Sequence, residues 1–149
     1  MQFPTDILCK TSSITDGNMS FGIGSTENSL QNREAFIENL NIPVTGYVCM
    51  KCDHGEGIVV VNYDTAGVGA TTQEEMILGE VLVTQEKGLA LMLLTADCLP
   101  VSLYDPITQT IALAHFSRET ISSMLPQKTI TFLQKYFDVD PANLLINIG

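Results

Sequence analysis

Basic residues are scarce in this sequence: seven Lys and Arg stand against seventeen Asp and Glu, a formal charge of −10. So acidic a chain suits neither nucleic-acid backbones nor anionic membranes, although one local Arg or Lys can still hold a small anion. No apolar run approaches the roughly 20 residues that a membrane helix needs. The opening Met-Gln-Phe-Pro-Thr-Asp lacks the basic and apolar regions of a signal peptide, so the cytoplasm is the expected compartment. In that compartment Cys9, Cys49, Cys52 and Cys98 are expected to be reduced thiols or ligands and not disulfides. Charged residues make up only 16% and apolar ones 45%, which argues against disorder. A length of 149 residues is enough for one domain with a real core, its first ~17 residues irregular.

Two suggestive motifs are incomplete. The Gly-x-Gly at Gly22 and Gly24 has no strand leading into it and no third glycine, which makes it a poor nucleotide-binding fingerprint and favours an irregular N-terminal edge. Cys49 and Cys52 form a Cys-x-x-Cys, but no second pair follows. Residues three apart on a strand also point to opposite faces, which argues against a zinc knuckle or redox pair. Internal repeats and low-complexity segments are absent as well.

What is present reads as alternating elements. Residues 28–41 suit a helix, with Asn28 and Gln31 as a capping box, Phe36 and Leu40 on one face, and Pro43 as the stop. Arg33 then falls in the first turn, where the helix dipole disfavours a cation. The alternatives are a solvated side chain or an Arg recruited to bind phosphate or carboxylate. Strands are expected at 47–52, 57–63, 80–85, 89–96 and 144–148, with a short helix at 71–78 ended by Gly79. The run Leu89-Ala90-Leu91-Met92-Leu93-Leu94 reads as a strand covered on both faces. Residues 118–136 read as mostly helical, with Pro126 beginning a second helix. These elements suggest a layered α/β protein with a mixed or largely antiparallel sheet.

The most informative stretch runs from Leu93 to Ser117. Apolar runs at 99–104 and 110–115 flank Asp105-Pro106-Ile107-Thr108-Gln109, the pattern of an antiparallel hairpin. Folding it about Ile107 brings Cys98 within one or two residues of facing His115, with Asp97 at the same mouth. A thiol and an imidazole so placed can share a metal ion or a proton. Taken singly, a Cys or a His beside an apolar strand is usually structural. His54 stands in a His-Gly turn after the 47–52 strand, where its ring can face a cleft.

The motif Thr95-Ala96-Asp97-Cys98-Leu99-Pro100-Val101, followed by Asp105-Pro106 and by Ile111-Ala112-Leu113-Ala114-His115, resembles the laccase-domain family, also called YfiH-like or multicopper polyphenol oxidoreductase proteins. Upstream, Asn32-Arg33, His54-Gly55 and Gly79-Glu80-Val81-Leu82-Val83-Thr84 resemble that family's Asn-Arg, Gln-x-His-Gly and Ala-Asp-Ala-x-Val-Thr segments. Cys52 stands in place of the Gln, and Phe116-Ser117-Arg118-Glu119-Thr120 in place of Ala-Gly-Trp-Arg-Gly. The resemblance runs from about Asn18 to the last residue and implies a C-terminally short member. It also implies an α/β/β/α sandwich and zinc-dependent chemistry on purine nucleosides, by phosphorolysis or deamination, with copper the less favoured metal. By position, His54, Cys98 and His115 are the implied ligands. Cys98, Asp97 and Arg33 are the implied catalytic residues, and Arg33 with Asn32 would bind substrate. Purine nucleoside and phosphate are the implied partners, and a homo-oligomer is possible. A non-catalytic binding module and a metal-free Cys–His hydrolase remain as alternatives.

Overall fold

The alternation of side chains on three strands decides the architecture. In the computed structural model, which describes residues 3–149, β1 (Tyr47–Lys51) sends Val48 and Met50 to one side and Tyr47 and Cys49 to the other. All four are buried, so β1 has no solvent face. The strand β4 (Val81–Thr84) behaves in the same way, with Leu82 pointing one way and Val81 and Val83 the other. Strands with two buried faces require covering layers on both sides.

Those layers are two sheets and three helices. One sheet holds three parallel strands in the order β3-β1-β5, where β3 is Ile77–Leu78 and β5 is Ala90–Leu93. The other has five strands in the order β2-β4-β7-β6-β8: Ile58–Val60, Val81–Thr84, Thr110–Phe116, Leu99–Asp105 and Leu145–Ile148. There β2 runs parallel to β4 and the remaining pairs are antiparallel. Val48, Met50, Leu82 and Leu89 pack between the sheets. Helix α1 (Thr26–Asn39) covers the outer face of the small sheet through Ile37, against Tyr47, Cys49 and Ala70. Helices α2 (Arg118–Ser122) and α3 (Leu125–Phe137) cover the large sheet, with Leu125 and Leu133 packed on Val81, Val83, Val101 and Ala112. The result is the expected α/β/β/α sandwich.

The hairpin folds as the sequence indicates, with β6 and β7 paired from Leu99↔Phe116 to Asp105↔Thr110. Buried Asp105 holds its turn by accepting from the Ile107 amide at 3.0 Å and the Thr108 hydroxyl at 2.9 Å. Residues 89–94 are covered on both faces, with Leu91 and Leu93 turned to the inter-sheet core and Ala90, Met92 and Leu94 to the α1 side. Pro126 sits in the first turn of α3.

Two expectations need correction. The first helix is capped by Ser25, whose side chain accepts from the Asn28 amide at 3.4 Å. Asn28 is therefore inside the helix, and Arg33 lies in its middle, away from the unfavourable end of the dipole. Residues 71–78 form no helix. Met76 turns to the α1-side core and Ile77 to the inter-sheet core, a period of two, and β3 pairs with β1. Nor is Gly79 a helix stop: its amide donates to the Lys51 carbonyl at 3.1 Å, and a Cβ there would meet Val59 Cγ2 at 3.1 Å. Close strand approach, rather than a turn, is what demands that glycine.

Candidate functional site

Four segments converge at one end of the large sheet. Cys98 precedes β6, His115 lies near the end of β7, Glu80 precedes β4, and His54 follows β1. The pairing Pro100↔His115 puts the cysteine and the histidine at the same mouth. One donor atom each from His54, Cys98 and His115 lie within 4.8 Å of one another. His54 is exposed, Cys98 is half-buried and His115 is buried. The approach of Cys98 to His115 follows the hairpin geometry argued from sequence; His54 arrives from a separate segment.

The two imidazoles are stacked, with centroids 5.4 Å apart and planes 11° from parallel. His54 reaches this position through a left-handed backbone conformation, φ 63°. Such a conformation is uncommon outside glycine and is held by its surroundings. Here Asp53 Oδ1 closes a local turn onto the Gly55 amide at 3.0 Å. The hydroxyl of Thr95 donates to the Cys98 carbonyl at 2.8 Å and fixes the loop entering β6.

Behind the donors stands Glu80, wholly buried. Its Oε1 accepts from the amides of Asp53 and His54, both at 2.7 Å, and its Oε2 lies 2.6 Å from His115 Nδ1. Sequence reasoning passed over this residue. A single acidic side chain before a strand reads as a solvated one, and only the tertiary pairing of β4 with β7 brings it to the histidine. The available signal was its place beside the Val-Leu-Val-Thr strand, in a segment already matched to the family.

Cys52 lies near this carboxylate, and its donor atom, with one each from Glu80 and His115, falls within 4.8 Å of the other two. Burial, then the negative charge of Glu80, pushes the Cys52 thiol up to about 12. Cys49 faces the opposite side of β1, within the core under α1. The Cys-x-x-Cys pair is thus split between two faces, as expected for an extended strand.

Two of the other candidates, Arg33 and Asn32, are taken up by contacts with other segments. Arg33 is fully buried; its Nε donates to Met19 O at 2.7 Å, and its Nη1 to Gly69 O at 3.0 Å and Ala70 O at 3.3 Å. Phe21 covers the guanidinium, 3.8 Å from ring centre to Cζ, while Nη2 has no hydrogen-bond partner. Asn32 donates to Asn18 O at 2.8 Å. Both side chains therefore bind the N-terminal segment. Asp97 is exposed beside Cys98. Ser117 and Thr120, within the stretch that departs from the family pattern, cap α2: the Ser117 hydroxyl accepts from the Thr120 amide at 3.2 Å.

The donor set suits a metal ion. Tetrahedral zinc with bonds of roughly 2.0–2.3 Å needs ligand atoms about 3.5 Å apart, and the three donors lie within 4.8 Å of one another. Two imidazoles and a thiolate leave the fourth position open.

Fold and site together define an α/β/β/α protein with a His-Cys-His donor centre. The chain belongs to the multi-copper polyphenol oxidoreductase laccase family, whose model matches residues 9–149. It is 26% identical over 149 residues to a purine nucleoside phosphorylase of Clostridium acetobutylicum, covering 100% of this chain and 58% of that protein. A purine nucleoside phosphorylase of Streptomyces coelicolor is 31% identical over 118 residues, 79% of this chain and 46% of its own length. Among solved structures, YlmD of Geobacillus stearothermophilus superposes with a TM-score of 0.85 at 27% identity, covering 89% of this chain and 50% of that one. YfiH of Bacillus licheniformis shares the fold, with a TM-score of 0.85 at 22% identity over the same shares. The chain spans about half the length of these relatives.

Proposed function

We propose that this chain is a purine-nucleoside enzyme, acting by phosphorolysis of adenosine or inosine and by deamination of adenosine, with zinc at His54, Cys98 and His115. The convergence of those three donors within 4.8 Å carries the reading. The names of the relatives, purine nucleoside phosphorylases, support the substrate class. When bound, zinc supplies a Lewis acid and lowers the pKa of a coordinated water. Copper is the less favoured ion, because one three-ligand site is too few for a multicopper cluster.

The residues of the chain then divide the work. The imidazoles of His54 and His115 and the Cys98 thiolate would hold the ion. Asp97, exposed at that mouth, moves a proton to or from the leaving base. Arg33 and Asn32 are the candidates for the phosphate end. Nη2 of Arg33 is its donor without a partner, and the Phe21 ring lies over the guanidinium.

The test is incubation of zinc-loaded protein with adenosine or inosine, with and without phosphate, followed by separation of bases and nucleosides. Free base forming only with phosphate, and inosine forming from adenosine without it, are expected, and Cys98→Ser should abolish both. Unchanged nucleosides in the presence of stoichiometrically bound zinc overturn the reading. They would leave the non-catalytic binding module.

One observation favours a second reading. Cys98, His115 and Glu80 stand in the order of a thiol nucleophile, a base and an orienting carboxylate, which supports metal-free hydrolase chemistry. Zinc held stoichiometrically through Cys98 counts against it.

A further inference from the structure

Two carboxylates of the described residues are sealed completely from solvent, Glu80 and Asp105. Asp105 serves only its own turn, accepting from residues two and three positions along. Glu80 instead reaches partners 26, 27 and 35 residues away, on two other segments. Its backbone is pinned on both sides: its amide donates to Gly57 O at 2.8 Å and its carbonyl accepts from the His115 amide at 2.8 Å. The side chain is thus fixed in relation to both histidines of the centre.

We infer that Glu80 is a positioning residue that sets both histidines of the metal centre at once. The inference rests on the centre proposed above. As a carboxylate, Glu80 has acceptors and no donor. At 2.6 Å, His115 Nδ1 therefore carries the proton, and Nε2 is left bare for the ion. The other oxygen, Oε1, takes the adjacent amides of Asp53 and His54. Two N–H groups aimed at one oxygen hold the chain in the left-handed turn that lays the His54 ring over that of His115. A single side chain thereby fixes the tautomer of one ligand and the backbone of the other.

Glu80→Gln separates this role from packing. The amide has nearly the same shape, and its oxygen stays on the two backbone N–H groups because its NH2 cannot accept from them. That directs the NH2 at His115 Nδ1, which must now accept, and the ring proton moves to Nε2. The chain has only two histidines, so long-range proton–nitrogen spectra of the metal-free protein resolve both rings. The expected result is Nδ1–H for His115 in the wild type and Nε2–H in Glu80→Gln. Zinc affinity, measured by competition with a chromophoric chelator, should fall roughly 10–100-fold in Glu80→Gln. Glu80→Asp restores the acceptor and should return the Nδ1–H tautomer with part of the lost affinity.

An Nε2–H tautomer in the wild type overturns the inference. So does a Glu80→Gln protein with the wild-type tautomer and wild-type affinity, which would reduce Glu80 to packing. If the wild type binds no zinc, the proposed centre fails, while the tautomers of the metal-free proteins still decide whether Glu80 orients His115.

Discussion

Arg33 and Cys49, neighbours in the core under α1, show how one residue type changes meaning with its surroundings. In sequence Arg33 read as a cation at the start of a helix and a candidate for anion binding. In the structure it ties Met19, Gly69 and Ala70 together through their carbonyls. The sequence did not disclose this because the three carbonyls lie 14, 36 and 37 residues away and meet Arg33 only in the tertiary fold. A lysine presents a point charge in place of a planar fork, so Arg33→Lys should lower stability by about 2 kcal/mol or more, read from urea unfolding. An unchanged midpoint would contradict this structural role. Burial, partly offset by the Arg33 charge, pushes the Cys49 thiol up from 9.0 to about 11. The unfolded chain loses this proton near pH 9 and the folded chain keeps it to about 11. Between those values the folded state binds more protons, so stability should fall as pH rises; below them the contribution is constant. Urea midpoints at pH 8 and near pH 10.5 should show this loss, and Cys49→Ala should lessen it.

At the scale of elements, local signals were legible and distant pairings were not. The β6–β7 hairpin was readable because its turn and both strands are contiguous, and it placed Cys98 near His115. The parallel pairing of β1 with β3 and β5 joins strands far apart in sequence, so one chain with no partner information does not disclose it. Residues 71–78 were misread because Met76 and Ile77 alternate over only two positions, too few to set a period. Glu80 was invisible for the same reason as the parallel sheet: its partners are tertiary. Leu133, on the buried face of α3, closes the core over Val81 and Val83. Leu133→Ala should therefore cost roughly 2–5 kcal/mol, read as a lower urea midpoint at an unchanged slope. Ser117→Ala removes the α2 cap and should cost about 1 kcal/mol, with α3 intact by circular dichroism.

For the whole molecule, the four layers position the centre and the centre in turn feeds back on the fold. Any ion that binds the folded chain alone stabilises it, by about 2.7 kcal/mol at a free concentration 100 times its dissociation constant. Among the described residues no helix is long and apolar enough to cross a membrane. Zinc should raise the melting temperature of the wild type and leave Cys98→Ser unmoved. Two imidazoles and one thiolate, remote in sequence, are proposed to share one ion, and zinc stoichiometry by equilibrium dialysis reads this out. The wild type should take up about one equivalent, and His54→Ala, Cys98→Ser and His115→Ala should each lose it while remaining folded. Equal uptake by the wild type and the three variants, or none by the wild type, would rule out a shared ion at these residues.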